Sequence, residues 1–228
     1  LGSAYYSRAD THLYRTISLN YSSKNLLVGM HVKDFEVLGD TAESYRALPE
    51  LKVNYQTPWG KYLTFNLDSE LAYFDSTSES APKATRFHVA PTVALPLRSA
   101  WGEFVAETSL LQTIYKQENI QDTDLSEDVT RTLGQARLFG ALYFEKDEAW
   151  FNKDMSMTLE PKIQYLYTSY EDQTDIGQYD STPLLTDVEG LFRGQEFTGL
   201  DRISDNNQIT LGLTTRMLDK NNREQFVL

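Results

Sequence analysis

Apolar and polar side chains alternate with a period of two along most of the chain. In the run 62–73, for example, Leu63 and Phe65 fall on one side and Thr64 and Asn66 on the other. Alternation is clearest in four stretches, 62–73, 85–97, 155–167 and 208–217. A period of two is typical of a β-strand with one apolar face, whereas a helix repeats every 3.6 residues. The pattern therefore predicts an all-β protein.

Weaker alternation extends the set to nine strands and the start of a tenth. The weaker stretches are 11–21, 25–34, 44–56, 103–116 and 130–146, and the partial one is 224–228. Ordinary strands have about 5–6 residues, whereas strands that cross an outer membrane need about 9–11. Because most of these stretches are 10–16 residues long, we predict an antiparallel transmembrane β-barrel, present here as nine to ten strands of a larger barrel.

The connections between the predicted strands alternate between short and long. The short connections are 22–24, 57–60, 99–102, 147–153 and 219–222, and the long ones are 35–43, 75–83, 117–128 and 171–204. Transmembrane barrels have short periplasmic turns and long extracellular loops. Trp59, Trp101 and Trp150 all lie at short turns, which predicts an aromatic girdle at one membrane interface.

The overall composition does not resemble that of a membrane protein. Mean hydropathy is -0.46 and the formal net charge is -12, with 33 acidic and 21 basic residues and no Cys. A barrel keeps its average hydropathy low because half of each strand faces a polar lumen. The acidic excess argues against nucleic acid as a partner, since nucleic-acid binding requires a basic surface. A soluble β-sheet binding module remains an alternative.

The polar face of the strands carries acidic and basic side chains in equal number. A uniform charge would favour an ion-selective pore, whereas a mixed wall fits a wet lumen bridged by ion pairs or one filled by a partner. A diffusion porin also remains an alternative. The candidates for lumen-facing and partner-binding residues are Arg46, Glu50, Lys52, Asp68, Glu70, Arg86, His88, Glu107, Arg137, Glu160, Lys162 and Arg216.

Catalytic and metal-binding patterns do not occur in the sequence. His12, His31 and His88 lie on three different predicted strands. Metal and nucleophile motifs need closely spaced ligands or a defined turn around the nucleophile. We therefore expect no enzymatic activity, no metal site and no cofactor.

The stretch 171–205 is the longest connection, and it is both acidic and apolar. It has nine acidic residues and two arginines, together with seven large apolar residues between Leu184 and Ile203. A loop of this length is usually functional or disordered, and its apolar content favours a folded loop packed in the lumen or over its mouth. The candidate residues in this loop are Tyr179, Asp180, Leu191, Phe192, Arg193, Leu200, Asp201 and Arg202.

Three prolines interrupt predicted strands. Pro49, Pro91 and Pro161 each fall in the middle of an alternating run. Proline has no backbone N–H to donate to a neighbouring strand and is usually found at edges or bulges. We therefore predict a local bend or bulge at each proline, without loss of the strand.

Several segments resemble one family of proteins. They are Leu159-Glu-Pro-Lys-Ile-Gln-Tyr-Leu-Tyr, Tyr179-Asp-Ser, Gly190-Leu-Phe-Arg, Gly199-Leu-Asp-Arg-Ile, Asn207-Gln-Ile-Thr, Pro49-Glu-Leu-Lys-Val-Asn-Tyr and Ala84-Thr-Arg-Phe-His-Val-Ala-Pro-Thr. In these segments the chain resembles the LptD family of outer-membrane lipopolysaccharide-assembly proteins. The resemblance covers most of the chain and is most specific over 159–216.

The resemblance implies a very large barrel in the bacterial outer membrane, which delivers lipopolysaccharide to the outer leaflet. It implies the lipoprotein LptE as a plug in the lumen. The other implied partners are lipopolysaccharide, outer-membrane lipids, the remaining strands of the same barrel and the barrel-assembly machinery. On this view residues 1–228 are the middle of a single barrel domain cut from a longer polypeptide, without the seam strands that form the lipid exit. The expected role is that of barrel wall and LptE-binding scaffold.

Overall fold

The described strands of the protein belong to one antiparallel sheet in a computed structural model. The residues that the structure describes are 12–37, 45–76, 78, 80–121, 123–150, 153–185, 187, 190–219 and 223–227. The strands are β1 (His12–Ser22), β2 (Leu26–Val37), β3 (Tyr45–Trp59), β4 (Leu63–Ser76), β5 (Lys83–Ser99), β6 (Gly102–Glu118), β7 (Asp128–Leu142), β8 (Phe144–Trp150), β9 (Lys153–Thr168), β10 (Asn206–Asp219) and β11 (Glu224–Val227). One short 3₁₀ turn, Gly190–Phe192, lies between β9 and β10.

Each strand pairs with its neighbours in chain order, except that β7 and β8 both pair with β9. The sequence prediction of an all-β, antiparallel fold with long strands is therefore confirmed. Among the residues described here, no helix is long and apolar enough to cross a membrane.

β7 and β8 are two parts of one continuous strand. Ala141 pairs with Lys162 and Phe144 pairs with Leu159 in an unchanged register. The interruption between them faces Pro161, which has no N–H to donate to the ladder. The sequence predicted a turn from residue 147, and that prediction is wrong because strand pairing continues to Trp150.

The three prolines differ in their effect on the sheet. At Pro49 the register shifts between Ala47 and Glu50, as predicted. Pro91 pairs with Leu67 without any shift, and the ladder to β6 is interrupted between Val89 and Thr92 without a change of register, so the bulge predicted there is wrong. Pro161 interrupts the ladder without changing the register. Only the first proline therefore changes which side chains face each side of the sheet.

The bulge at Pro49 places Arg46 on the opposite face from the one predicted. Arg46 pairs with Asp75, whereas Ala47 pairs with Phe74 and Glu50 with Ala72. Directly paired residues share a face of the sheet and successive residues alternate. Because the bulge changes the phase of alternation, Arg46 does not share the face of Glu50 and Lys52, and its placement on the lumen-facing side is corrected.

The two faces of the sheet differ in chemistry. We call the face that carries Glu70, Arg86 and Arg137 the inner face, and the opposite one the outer face. Large apolar side chains on the outer face are exposed, for instance Ile209 at 67% and Leu211 at 73%, while Arg86 on the inner face is 0% exposed. This is the reverse of a water-soluble sheet, in which apolar side chains are buried and arginine is almost never fully buried unless paired.

Candidate functional site

The connection between β9 and β10 folds back over the inner face of the sheet. We call residues 171–205 the docked loop. It leaves β9 after Thr168 and returns at Asn206, and on the way it contacts Arg86 of β5, Tyr115 of β6 and Arg131 of β7. A loop from one hairpin therefore packs on strands that come much earlier in the chain.

Arg86 is the centre of the contact between the wall and the docked loop. Its guanidinium donates to the wall carboxylate of Glu70 (Nε to Oε1, 2.9 Å). It also donates to two loop carboxylates, Asp180 Oδ1 at 2.9 Å and Asp201 Oδ1 at 2.7 Å. The ring of Phe74 lies 4.6 Å from the guanidinium carbon. Three carboxylates thus share one buried cation, which is the arrangement that arginine's five donors allow.

Asp201 connects the two ends of the docked loop. Its Oδ2 accepts the backbone N–H groups of Tyr179 and Asp180, both at 2.7 Å. Its Oδ1 accepts the hydroxyl of Tyr115 at 3.1 Å in addition to Arg86. Ser181 Oγ in turn accepts the N–H of Asp201 at 2.9 Å. The start and the end of the loop are therefore held together at the same point on the wall.

Arg131 binds the docked loop through backbone carbonyls instead of carboxylates. It donates to the carbonyl oxygens of Leu200 at 2.6 Å and Asp201 at 3.0 Å. It also donates to Gln173 Oε1 at 2.8 Å and to Thr113 Oγ1 at 3.1 Å. Because carbonyls are neutral acceptors, this arginine fixes the backbone of the loop without neutralising a loop charge.

Tyr179 supplies the apolar part of the contact. Its ring stacks near Phe74 at 5.4 Å and Tyr115 at 6.5 Å between centroids, and it meets Tyr45 edge-on at 5.0 Å. Its hydroxyl donates to Gln117 Oε1 at 2.7 Å. Aromatic contacts of this kind add to the burial of the ring itself, so the loop is held by packing as well as by charge.

Gly199 permits the close approach of the two ends of the loop. Its φ is +62°, a conformation that costs other residues energy. A Cβ at this position would collide with Oδ1 of Asp180 and would lie 2.8 Å from the Asp180 carbonyl oxygen. Only glycine therefore fits beside the Arg86 contact.

The two loop carboxylates differ in acidity. Burial would raise the pKa of Asp180, but the hydrogen bonds and charge of Arg86 outweigh it, and the pKa is lowered. Burial and the neighbouring charge of Asp180 raise the pKa of Asp201. Asp180 is therefore the carboxylate that Arg86 holds more firmly in the charged form.

The tip of the docked loop lies further along the inner face, away from Arg86. Phe192 meets Phe139 edge-on at 6.3 Å and lies against Gly212, where a Cβ would be 2.8 Å from its ring. Thr210 donates to the carbonyl oxygen of Leu191 at 3.1 Å. Arg193 pairs with Asp187 at 3.6 Å inside the loop. Leu191 and Phe192 therefore join the described part of the tip to β10 and β7.

The remaining predicted wall residues form smaller contacts on the inner face, of which those of Lys52 and His88 adjoin the Arg86 and Arg131 contacts. The ion pairs are Lys52 with Glu50 (2.9 Å) and Glu70 (3.3 Å), Arg137 with Glu107 (2.9 Å) and Lys162 with Glu160 (3.6 Å). Asn54 donates to Asp68, His88 is hydrogen-bonded to Thr113 at 2.9 Å, and Arg216 is exposed. A polar concavity of about 600 Å³ adjoins these residues and includes Asn54, Asp68 and Glu107.

The structure brings seven of the predicted residues together: Glu70, Arg86, Tyr179, Asp180, Leu200, Asp201 and Arg202. Sequence reasoning missed the wall residues Tyr115, Gln117 and Arg131. All three lie in strands whose alternation was weak, and their one signal was a large polar side chain at an inward position near a long connection. Among the described residues, no group of three or more His, Asp or Glu could hold a metal ion.

Two of the predicted girdle residues have described side chains. Trp59 ends β3 and Trp101 lies in the turn between β5 and β6, with 58% and 69% of their surfaces exposed. Trp150 ends β8, and its side chain lies outside the described residues. The role of the three tryptophans at a membrane interface stays a prediction.

Comparison with known proteins adds to this geometry. A family model named LptD and described as LPS transport system D matches residues 1–228. The chain belongs to the LptD family. Membership confirms the resemblance found in the sequence and does not favour the porin and soluble-module alternatives.

LptD proteins of three bacteria are similar to this chain over 95% or more of its length. The LPS-assembly protein LptD of Pseudoalteromonas atlantica is 60% identical over 228 residues, which is 100% of this chain. That of Pseudoalteromonas translucida is 43% identical over 99% of the chain, and that of Shewanella frigidimarina is 41% identical over 95%. The chain spans about 30% of the length of these curated relatives.

Proposed function

We propose that this chain is a wall section of an outer-membrane barrel that assembles lipopolysaccharide into the outer leaflet. Family membership supports this function, since the relatives are named LPS-assembly proteins. The reversed chemistry of the two faces supports a membrane location. Exposed apolar residues such as Leu211 suit lipid contact, and inward charged residues suit a wet lumen.

The observation that carries the proposal is the burial of Arg86 between the wall and the docked loop. A fully buried arginine with three carboxylate partners holds the loop on the inner face. A loop fixed across the inside of a wide barrel reduces the free cross-section of the lumen. The docked loop therefore acts as an internal closure that keeps small solutes from diffusing through the translocon.

The open part of the inner face is the proposed contact for the lipoprotein LptE. The concavity beside Asp68 and Glu107 is polar and is not covered by the docked loop. Its ion pairs, such as Arg137 with Glu107, are partly exposed and available to a partner that fills the lumen. One half of the inner face would thus be closed to solutes by the docked loop, and the other half would be open to LptE. The other partners in this proposal are lipopolysaccharide, membrane lipids and the barrel-assembly machinery.

The test is deletion of residues 176–200 from the full-length protein. We expect higher permeability of the outer membrane to a large antibiotic, or weaker co-purification of LptE. Deletion of Thr123, Asp124 and Leu125 in the β6–β7 connection is the matched control, since none of these three described residues is a hydrogen-bond partner of Arg86. Normal permeability together with normal LptE binding in the 176–200 deletion would remove the role given to the docked loop.

A further inference from the structure

The outer face of the sheet contains an apolar groove of about 790 Å³ near the short turns. We call it the outer groove. Its floor is a single row of residues in register across five strands: Leu97, Phe104, Gly140, Ile163 and Leu211. Leu142, Pro161 and Leu213 continue the lining toward the short-turn end.

The groove exists because the middle residue of the row has no side chain. Gly140 pairs with Phe104 on one side and with Ile163 on the other. Both neighbours have bulky side chains that stand up from the sheet on either side of the glycine. The result is a trench bounded by an aromatic ring and an aliphatic side chain.

The floor of the outer groove is closed on the inner face. Gly212 of β10 also lines the groove, and Phe192 of the docked loop packs against it from inside. The interruption at Pro161 lies in the same part of the wall. The loop tip therefore backs the thinnest part of the sheet, so the groove is a surface site and not a passage into the lumen.

The lining determines what the groove can bind. Its surface is almost entirely apolar. The charged residues in its lining are paired, Arg98 with Glu103 at 3.3 Å and Lys162 with Glu160 at 3.6 Å. Trp101 lies at the short-turn end of the lining and is 69% exposed, so its indole N–H is free to donate to a polar group there. An apolar trench with one donor at its end suits a molecule with a long hydrocarbon chain and an oxygen-rich head.

We propose that the outer groove binds one acyl chain of a glycerophospholipid, with the headgroup beside Trp101. The proposal rests on the membrane placement given under the proposed function. The short turns of transmembrane barrels face the periplasm, so a lipid whose head lies at Trp101 belongs to the periplasmic leaflet, which consists of phospholipid. The volume falls within the range of about 300–1,000 Å³ of small-molecule sites.

Native mass spectrometry of the full-length protein with added phosphatidylethanolamine tests this proposal. Gly140→Leu fills the trench, and its Cβ would be in ordinary van der Waals contact with Ile163, at 3.5 Å from the nearest atom. We expect the variant to lose one bound phospholipid per protein. Ala136→Leu is the matched control, because Ala136 shares the strand and the outer face but lies outside the groove; it should keep the lipid.

A second variant separates a filled groove from a misfolded barrel. Phe104→Ala removes one bank of the trench and leaves Gly140 unchanged, and it should also lose the lipid. The proposal is overturned if both variants retain as much phospholipid as the wild type. It is also overturned if, with lipopolysaccharide as the added probe, the variants lose bound lipopolysaccharide instead of phospholipid. Membrane fractionation distinguishes failure of the lipid-site proposal from failure of the proposed function. A protein found outside the outer membrane would refute the proposed function itself.

Discussion

The two halves of the inner face use charge in different ways. Near the long connections, Arg86 and Arg131 are 0% and 1% exposed and are bound by the docked loop. Near the short turns, Arg137 and Glu107 are each 30% exposed, and Glu107 lines a polar concavity. The same residue types thus fix a loop in one half and leave a hydrated surface in the other. The two halves of the inner face therefore differ in how deeply their charged side chains are buried, and not in the number of their ion pairs.

The largest expected effect is that of Arg86→Met. The substitution keeps much of the side-chain volume but leaves Asp180 and Asp201 without their cation, and Glu70 with only its pair to Lys52. Breaking a buried ion pair from one side costs about 3–5 kcal/mol. We expect the docked loop to detach, which faster proteolysis within 171–205 of the folded full-length protein would report.

The same experiment distinguishes lost charge balance from lost packing. Adding Asp180→Asn and Asp201→Asn to Arg86→Met removes two of the uncompensated charges. Part of the protease resistance should return. A cleavage rate for Arg86→Met equal to wild type would show that the buried cation does not hold the loop.

An intermediate effect is expected for Gly199→Ala. The change leaves every charge in place, but its Cβ collides with Asp180 and the residue must keep a positive φ. Strain of this kind costs about 1–3 kcal/mol. Hydrogen exchange of the loop amides measures the loosening. Gly194→Ala is the control, because its added Cβ meets no atom within 4 Å; equal exchange in the two variants would contradict the prediction.

The smallest effect is expected for Arg137→Met. Its pair with Glu107 is partly exposed, and such pairs contribute less than about 1 kcal/mol. The midpoint of urea unfolding in detergent should shift little, and the shift should shrink further at high salt. A loss of stability equal to that of Arg86→Met would remove the distinction between the two halves of the inner face.

The sequence was sufficient to predict the strands but not the contacts of the docked loop. Alternation located every strand that has one apolar face, because the pleat makes side-chain direction a local property. The bulge at Pro49 was also predictable in place. The effect of this bulge on Arg46 was not predictable, because the position of the extra residue within the bulge decides which side chains change face.

Only part of the contact between the wall and the docked loop could be predicted, and the reason is physical. Tyr179, Asp180 and Asp201 were candidates because they lie in Tyr179-Asp-Ser and Gly199-Leu-Asp-Arg-Ile, two segments that resemble the LptD family. Arg131 and Tyr115 did not stand out, since an inward polar side chain in a wet barrel looks the same as one buried by a loop. What buries them is a segment far away in the sequence, and alternation carries no information about it.

The contact at Arg86 also constrains the order in which the protein can reach its native state. Arg86 precedes Asp180 by 94 residues and Asp201 by 115. Contacts between distant residues form slowly, because the entropy of closing a long loop must be overcome first. We therefore expect the arginine to gain its loop partners only after the β9–β10 hairpin has formed and reached the wall. On this view docking of the loop is a late step in folding that follows the pairing of strands β4 to β10.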